Sequence, residues 1–169
     1  MILIEDLKQF MGYFGLKKYY AFKLLFMRYF YVIVLIRLSL TKSLPLLPFR
    51  FASKVILSIV FGIEVASRSS IGKGLILPHP HNIILGGYSI GENCIIMSNV
   101  TIGAILPDPE YSPNKRPVIS DSCLLGVGSC ILGGVTIGSK STIGANSVIT
   151  KSFDDNSTIV GSNRLLKRV

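Results

Sequence analysis

Residues 119–149 read ISDSCLLGVGSCILGGVTIGSKSTIGANSVI, and within them a large aliphatic residue returns at every sixth place: Ile119, Leu125, Ile131, Ile137, Ile143 and Ile149. Four residues after each of the first five stands a small or short-branched side chain, namely Cys123, Ser129, Val135, Ser141 and Ser147. Gly126, Gly138 and Gly144 directly follow three of the aliphatics. A period of six matches neither the 3.6 of an α-helix nor the alternation of a free strand, so it marks a repeat architecture. The pattern predicts a coil of short strands. Each hexad supplies one strand, its aliphatic points inward onto the equivalent residue of the next coil, and glycine admits the corner, where a positive φ is open to it. Ordinary β-hairpins would call for two-residue turns between alternating strands.

The same register continues upstream through Val65, Ile71 and Leu77 and, after one extra residue, through Ile84, Ile90, Ile96 and Ile102. The extra residue falls inside Pro78-His79-Pro80-His81-Asn82, which holds both histidines of the chain. An insertion that keeps the register on either side reads as a bulge, a device that re-aims side chains near functional sites. A second interruption, 104–117, contains Pro107, Pro109, Pro113 and Pro117 and cannot continue a strand ladder. It is expected to leave the coil as an exposed loop, and chemistry is expected at these two breaks.

The chain has 169 residues, 49% of them hydrophobic, and a formal charge of +9. Residues 1–62 carry nine Lys and Arg against Glu5 and Asp6, a balance of +7, so the basicity belongs mostly to the amino-terminal segment. Three cysteines give no disulfide framework, and Cys94 and Cys123 suit the small inward position of a hexad. Met1–Phe10 has two acids and no small-residue cleavage site after an apolar core, so it does not read as a signal peptide and the expected location is cytoplasmic. From Leu16 to Lys42 aliphatic and aromatic residues are punctuated by cations, and the longest uncharged run is far short of the roughly 20 residues of a spanning helix. Two readings of this segment stand side by side: a helix peripheral on the membrane surface, or helices that pack on the coil or on each other in an oligomer. Pro45 and Pro48 are expected to break the helix and hand the chain to the coil. The division is then a helical segment over 1–62 and a coil domain over 63–169.

Three stretches carry a resemblance to a known family. Ile71-Gly72-Lys73-Gly74-Leu75-Ile76-Leu77-Pro78-His79, Lys115-Arg116-Pro117-Val118-Ile119 and Ile143-Gly144-Ala145-Asn146-Ser147-Val148-Ile149 resemble segments of the hexapeptide-repeat acyltransferases, in their serine O-acetyltransferase branch and its relatives that acetylate bacterial polysaccharides. The resemblance implies a mainly β fold, a left-handed parallel β-helix with an N-terminal α-helical segment. It also implies a homotrimer that binds acetyl-CoA between subunits. The left hand comes from the resemblance alone, since parallel crossovers are right-handed in nearly all folds.

On the same ground His79 matches the general base that takes the acceptor's proton, and Glu64 the carboxylate that orients its imidazole. Val127 and Ala145 match positions whose backbone amides hold the pantetheine arm, and Gly103 and Ala104 border the thioester. Lys140, Lys151 and Arg164 are candidate phosphate partners by charge alone. His81, Lys115 and Arg116 are assigned to the acceptor side. A hydroxyl is a poor nucleophile at neutral pH, and a positioned base of ordinary pKa near 6.5 typically contributes about 10²–10⁴ in rate. A carboxylate behind the ring fixes its tautomer.

Where the serine enzymes have an acid and a second histidine, this chain has Pro78 and Arg116. Those departures favour an acceptor other than serine, and the expected function is transfer of acetyl from acetyl-CoA to a sugar hydroxyl of a polysaccharide or lipid-linked glycan. A serine O-acetyltransferase of cysteine biosynthesis stands second, and a non-catalytic trimeric scaffold third. Coils of this type that bind zinc use three histidines around an open position, and this chain has two in total, so no metal is expected. Nucleic acid is not an expected partner.

Overall fold

The computed structural model describes residues 2–15 and 28–162, together with the backbone of 164–166. From Glu64 onward the chain winds as a parallel β-helix with three flat faces. One face stacks β1 (Glu64–Val65), β3 (Ile84–Leu85), β6 (Thr101–Gly103), β9 (Cys130–Leu132) and β12 (Val148–Ile149). The second stacks β2 (Ser70–Ile71), β4 (Ser89–Ile90), β7 (Val118–Ile119) and β10 (Thr136–Ile137). The third stacks β5 (Ile95–Ile96), β8 (Leu124–Leu125), β11 (Thr142–Ile143) and β13 (Thr158–Val160), closed by antiparallel β14 (Arg164–Leu166).

The six-residue period is the physical cause of this shape. One strand and one corner consume six residues, so Ile119, Leu125, Ile131, Ile137, Ile143 and Ile149 all point to the axis and are fully or nearly fully buried. The small positions Cys123, Ser129, Val135, Ser141 and Ser147 are buried with them.

The glycines act differently from expectation. Gly126, Gly138 and Gly144 are not among the positive-φ residues; the left-handed corners are made instead by Asn93, Asn99, Ser122, Lys140, Asn146 and Asn156, with Gly74 and Gly128. What Gly126 supplies is room, because a Cβ there would stand 2.7 Å from the Ala145 nitrogen and the Ile143 oxygen of the next coil. Asparagine tolerates the left-handed region better than other side chains, which frees glycine for the close approaches.

The upstream register also needs a correction. Leu85, not Ile84, is the inward residue: Leu85 is fully buried and pairs with Val65 and Ile102, while the Ile84 side chain is exposed. Eight residues therefore separate Leu77 from Leu85, and only five separate Leu85 from Ile90. Asn82, at φ +52, turns the chain inside this bulge, and a slip of one residue along a strand moves a side chain to the opposite face.

Among the described residues three α-helices precede the coil, Ile2–Tyr13, Arg28–Ser39 and Leu47–Phe61. Much of the stretch from Leu16 expected to be helical lies outside the described residues. Pro45 and Pro48 do not end the helical segment; they occupy the first turns of the short 3-10 helix Leu44–Leu46 and of the helix Leu47–Phe61. Proline suits that place because its missing N–H is one the first turn cannot use. The last helix is stopped by Gly62 in the left-handed conformation.

Candidate active site

The bulge that carries His79 is held by the helices, not only by the coil. Arg37 sends Nε and Nη2 to the two carboxylate oxygens of buried Asp6, each at 2.8 Å, and donates further to the carbonyls of Ile71 and Gly72. Asp6 Oδ1 also accepts the Leu75 amide at 3.1 Å, and the Tyr29 hydroxyl donates to the Leu75 carbonyl at 2.6 Å. Burial pushes the Tyr29 phenol far above its ordinary value, so it remains a donor. The run that leads into His79 is thus fixed from the amino-terminal side.

His79 is exposed and opens into a pocket of about 310 Å³ lined by Phe10, Phe14, Arg28, Tyr29, Pro78 and His81, with Pro80 beside them. Arg28 Nη1 donates to His81 Nε2 at 3.2 Å. A guanidinium can only donate, so that nitrogen of His81 is the acceptor and its proton is on Nδ1. The His81 ring also lies 6.0 Å from Phe61, which places it between two helices and the coil. Sequence reasoning missed Arg28 as a site residue; 53 positions separate it from His81, and nothing in its spacing marks it.

Glu64 is on the outward face of β1 and lines a separate small pocket with Lys54, Ser58, Ile63 and Val65. Among the described residues no hydrogen bond joins Glu64 to His79.

The second break forms a second pocket. Ala104, Ile105, Leu106, Pro107, Asn114 and Lys115 face Gly133 and Gly134 across about 380 Å³ of mostly apolar space. A Cβ at Gly134 would run into the Asn114 backbone, and one at Gly133, already at φ +86, would press on Ile105. The two glycines keep this slot open. Gly103, at the end of β6, is buried and hydrogen-bonds Gly133 through its carbonyl. Further along the coil, Val127 and Ala145 occupy exposed corners, and neither amide donates within the chain among the described residues. An extended chain with carbonyl groups and an apolar head fits these features: free amides on the corners, then a narrow apolar slot. Lys140 and Lys151 are exposed on the coil surface, and the Arg164 side chain lies outside the described residues.

The loop is not simply exposed. Arg116 donates through Nε to Asp108 Oδ2 at 2.9 Å, through Nη1 to the Gly86 carbonyl at 2.8 Å and through Nη2 to the Asp108 carbonyl at 3.2 Å, and it lies over the Tyr111 ring. Tyr111 in turn donates to the Gly87 carbonyl at 2.6 Å. Burial alone would raise the Asp108 carboxyl, but the Ser112 amide and the Arg116 guanidinium outweigh it and hold it below the usual carboxylate range. Arg116 therefore latches the loop to the coil.

Comparison with known proteins decides the branch. The family Bacterial transferase hexapeptide (six repeats) matches residues 116–151. Over 103 residues the chain is 36% identical to serine acetyltransferase 3, mitochondrial, of Arabidopsis thaliana, a match covering 60% of this chain and 26% of that one. It is 41% identical over 103 residues to the serine acetyltransferase of Staphylococcus epidermidis, covering 59% of this chain and 46% of that one. The crystal structure of Neisseria gonorrhoeae serine acetyltransferase superposes with a TM-score of 0.80 at 28% identity over 99% of this chain and 64% of that one; for its complex with serine the TM-score is 0.82 at 25% identity, over 98% and 68%. The coil is similar to the hexapeptide-repeat acyltransferase coil, in its serine acetyltransferase-like branch. Its hand is accordingly left. The chain spans less than half the length of the two curated relatives it matches here.

These findings correct the expectation of a sugar acceptor. The relatives are serine acetyltransferases by name, which supports the reading placed second above. The sugar reading leaned on Arg116 as an acceptor-side residue, and the structure shows its guanidinium spent on Asp108, Gly86 and Tyr111.

Proposed function

We propose that the protein is an acetyl-CoA-dependent serine O-acetyltransferase, with His79 as the general base. The observation that carries the reading is the pocket in which His79 and the Arg28 guanidinium line the same small space. A serine-sized acceptor needs a base for its hydroxyl and a cation for its carboxylate, and this pocket offers both. Arg28 uses one donor on His81, and the fork geometry of a guanidinium leaves others for a planar carboxylate.

In the proposed reaction His79 accepts the hydroxyl proton as the serine oxygen bonds to the thioester carbonyl carbon. The carbon–sulfur bond then breaks, and the proton passes to the departing sulfur. The acetyl donor's arm is held by the amides of Val127 and Ala145, and its reactive end by the slot of Ala104, Lys115, Gly133 and Gly134. Pro78 and Pro80 stiffen the backbone on either side of His79, because a fixed φ removes conformers that would misaim the ring.

The test is release of free thiol from acetyl-CoA by the purified chain, with and without L-serine. Serine-dependent release supports the assignment. Binding of acetyl-CoA without serine-dependent release rejects it.

A further inference from the structure

The helix Leu47–Phe61 is built inside out for a water-soluble protein. Only Ser53 and Leu57 are buried, on the side that packs chiefly against the helix Arg28–Ser39. Phe51, Val55 and Ile59 recur four apart on the opposite side, as helical geometry requires, and Phe51 and Ile59 are 72% and 79% exposed. Phe49 and Val60 widen the strip, and Leu44, 79% exposed, extends it before the helix begins. No charged residue interrupts this side: Arg50 and Lys54 are on the flank toward the coil, where Lys54 bonds Ser67.

We infer that this face docks on the surface of an anionic lipid bilayer. Charge selects the occupant. Residues 7–63 contain nine Lys and Arg and no Asp or Glu. Pairing the helix with its counterpart on a second copy would set two strongly cationic segments together, whereas an anionic leaflet is complementary to both the cations and the apolar strip. The helix lies along the bilayer rather than across it. With the turn Leu44–Leu46 before it the helical stretch Leu44–Phe61 is 18 residues long and apolar enough to cross by length alone, but crossing would carry Arg50 and Lys54 into the hydrocarbon core, where a charge is costly. The helix's buried side is also packed against the helix Arg28–Ser39, and Lys54 ties it to Ser67 of the coil.

The experiment is co-sedimentation of the full chain with vesicles of phosphatidylcholine plus phosphatidylglycerol, and with phosphatidylcholine alone. The parent chain is expected to bind the anionic vesicles more tightly, and the double variant Phe51→Ser/Ile59→Ser to bind them at least about tenfold more weakly. Val148→Ser, which removes an exposed apolar side chain from the coil, should bind as the parent does. Unchanged binding by the double variant overturns the inference, as does a parent chain that ignores anionic vesicles. The mass of the lipid-free assembly is read by sedimentation equilibrium for parent and double variant. A smaller assembly for the double variant alone would make the strip a contact between copies, which also overturns it.

Discussion

Arg37 and Asp6 face each other through two parallel hydrogen bonds of 2.8 Å, with the Asp6 side chain wholly shielded from solvent. This pair ties the helices Ile2–Tyr13 and Arg28–Ser39 to the first turn of the coil, because Arg37 also reaches the Ile71 and Gly72 carbonyls and Asp6 reaches the Leu75 amide. Removing one partner strands the other. Arg37→Met is expected to destabilise the chain by about 3–5 kcal/mol, read as a lowered midpoint in urea unfolding, and the double variant Asp6→Leu/Arg37→Met by less than the two single changes added together.

The loop latch should be sensitive to acid. Asp108 has a folded pKa below its ordinary value, so its contribution to loop docking is fully present above the unfolded carboxyl pKa, about 3.9. That contribution is lost as pH falls through the lower folded value. Proteolytic nicking between residues 104 and 117 by an acid-active protease should rise as the pH drops below about 4. Asp108→Asn should show raised nicking already at pH 5 and little further change.

Arg28 is expected to act on the acceptor and not on the donor. Arg28→Gln should raise KM for L-serine by about tenfold or more, from the roughly 1.5–3 kcal/mol of a hydrogen bond to a charged group, and leave KM for acetyl-CoA near the parent value. Steady-state kinetics with each substrate varied in turn checks this, and serinamide, which lacks the carboxylate, should be insensitive to the change.

Gly126 tests the coil itself. Gly126→Ala would push a methyl group against the Ala145 nitrogen and the Ile143 oxygen, a clash of backbone on backbone that costs typically about 1–3 kcal/mol. Thermal unfolding should show a lower midpoint. Weaker acetyl-CoA binding should accompany it, because Ala145 is one of the two corners assigned to the donor.

The coil was legible because a single steric unit repeats, and each aliphatic at the sixth place announces its inward direction. Ile84 and Leu85 show where that stops: carried across an insertion, a period cannot tell which of two adjacent aliphatics faces the axis. The prolines show another limit, since Pro45 and Pro48 fit the end of one helix as well as the start of the next, and here they start one. At the site, His79 was marked by the broken register and by resemblance. Arg116 was misleading because its partners Asp108 and Gly86 meet it only once the loop folds back. Arg28 was invisible, its place beside His81 being set by how the helices pack.

Glu64→Gln is expected to slow turnover less than His79→Ala does, since no hydrogen bond joins the carboxylate to the ring. The most direct measurement is the rate at which the parent chain and His79→Ala convert L-serine and acetyl-CoA to O-acetylserine, with the product identified by mass spectrometry. The parent should form it, and His79→Ala should be slower by at least about a hundredfold. A His79→Ala chain that forms it at the parent rate, or a parent chain that binds acetyl-CoA and forms none, would contradict the account.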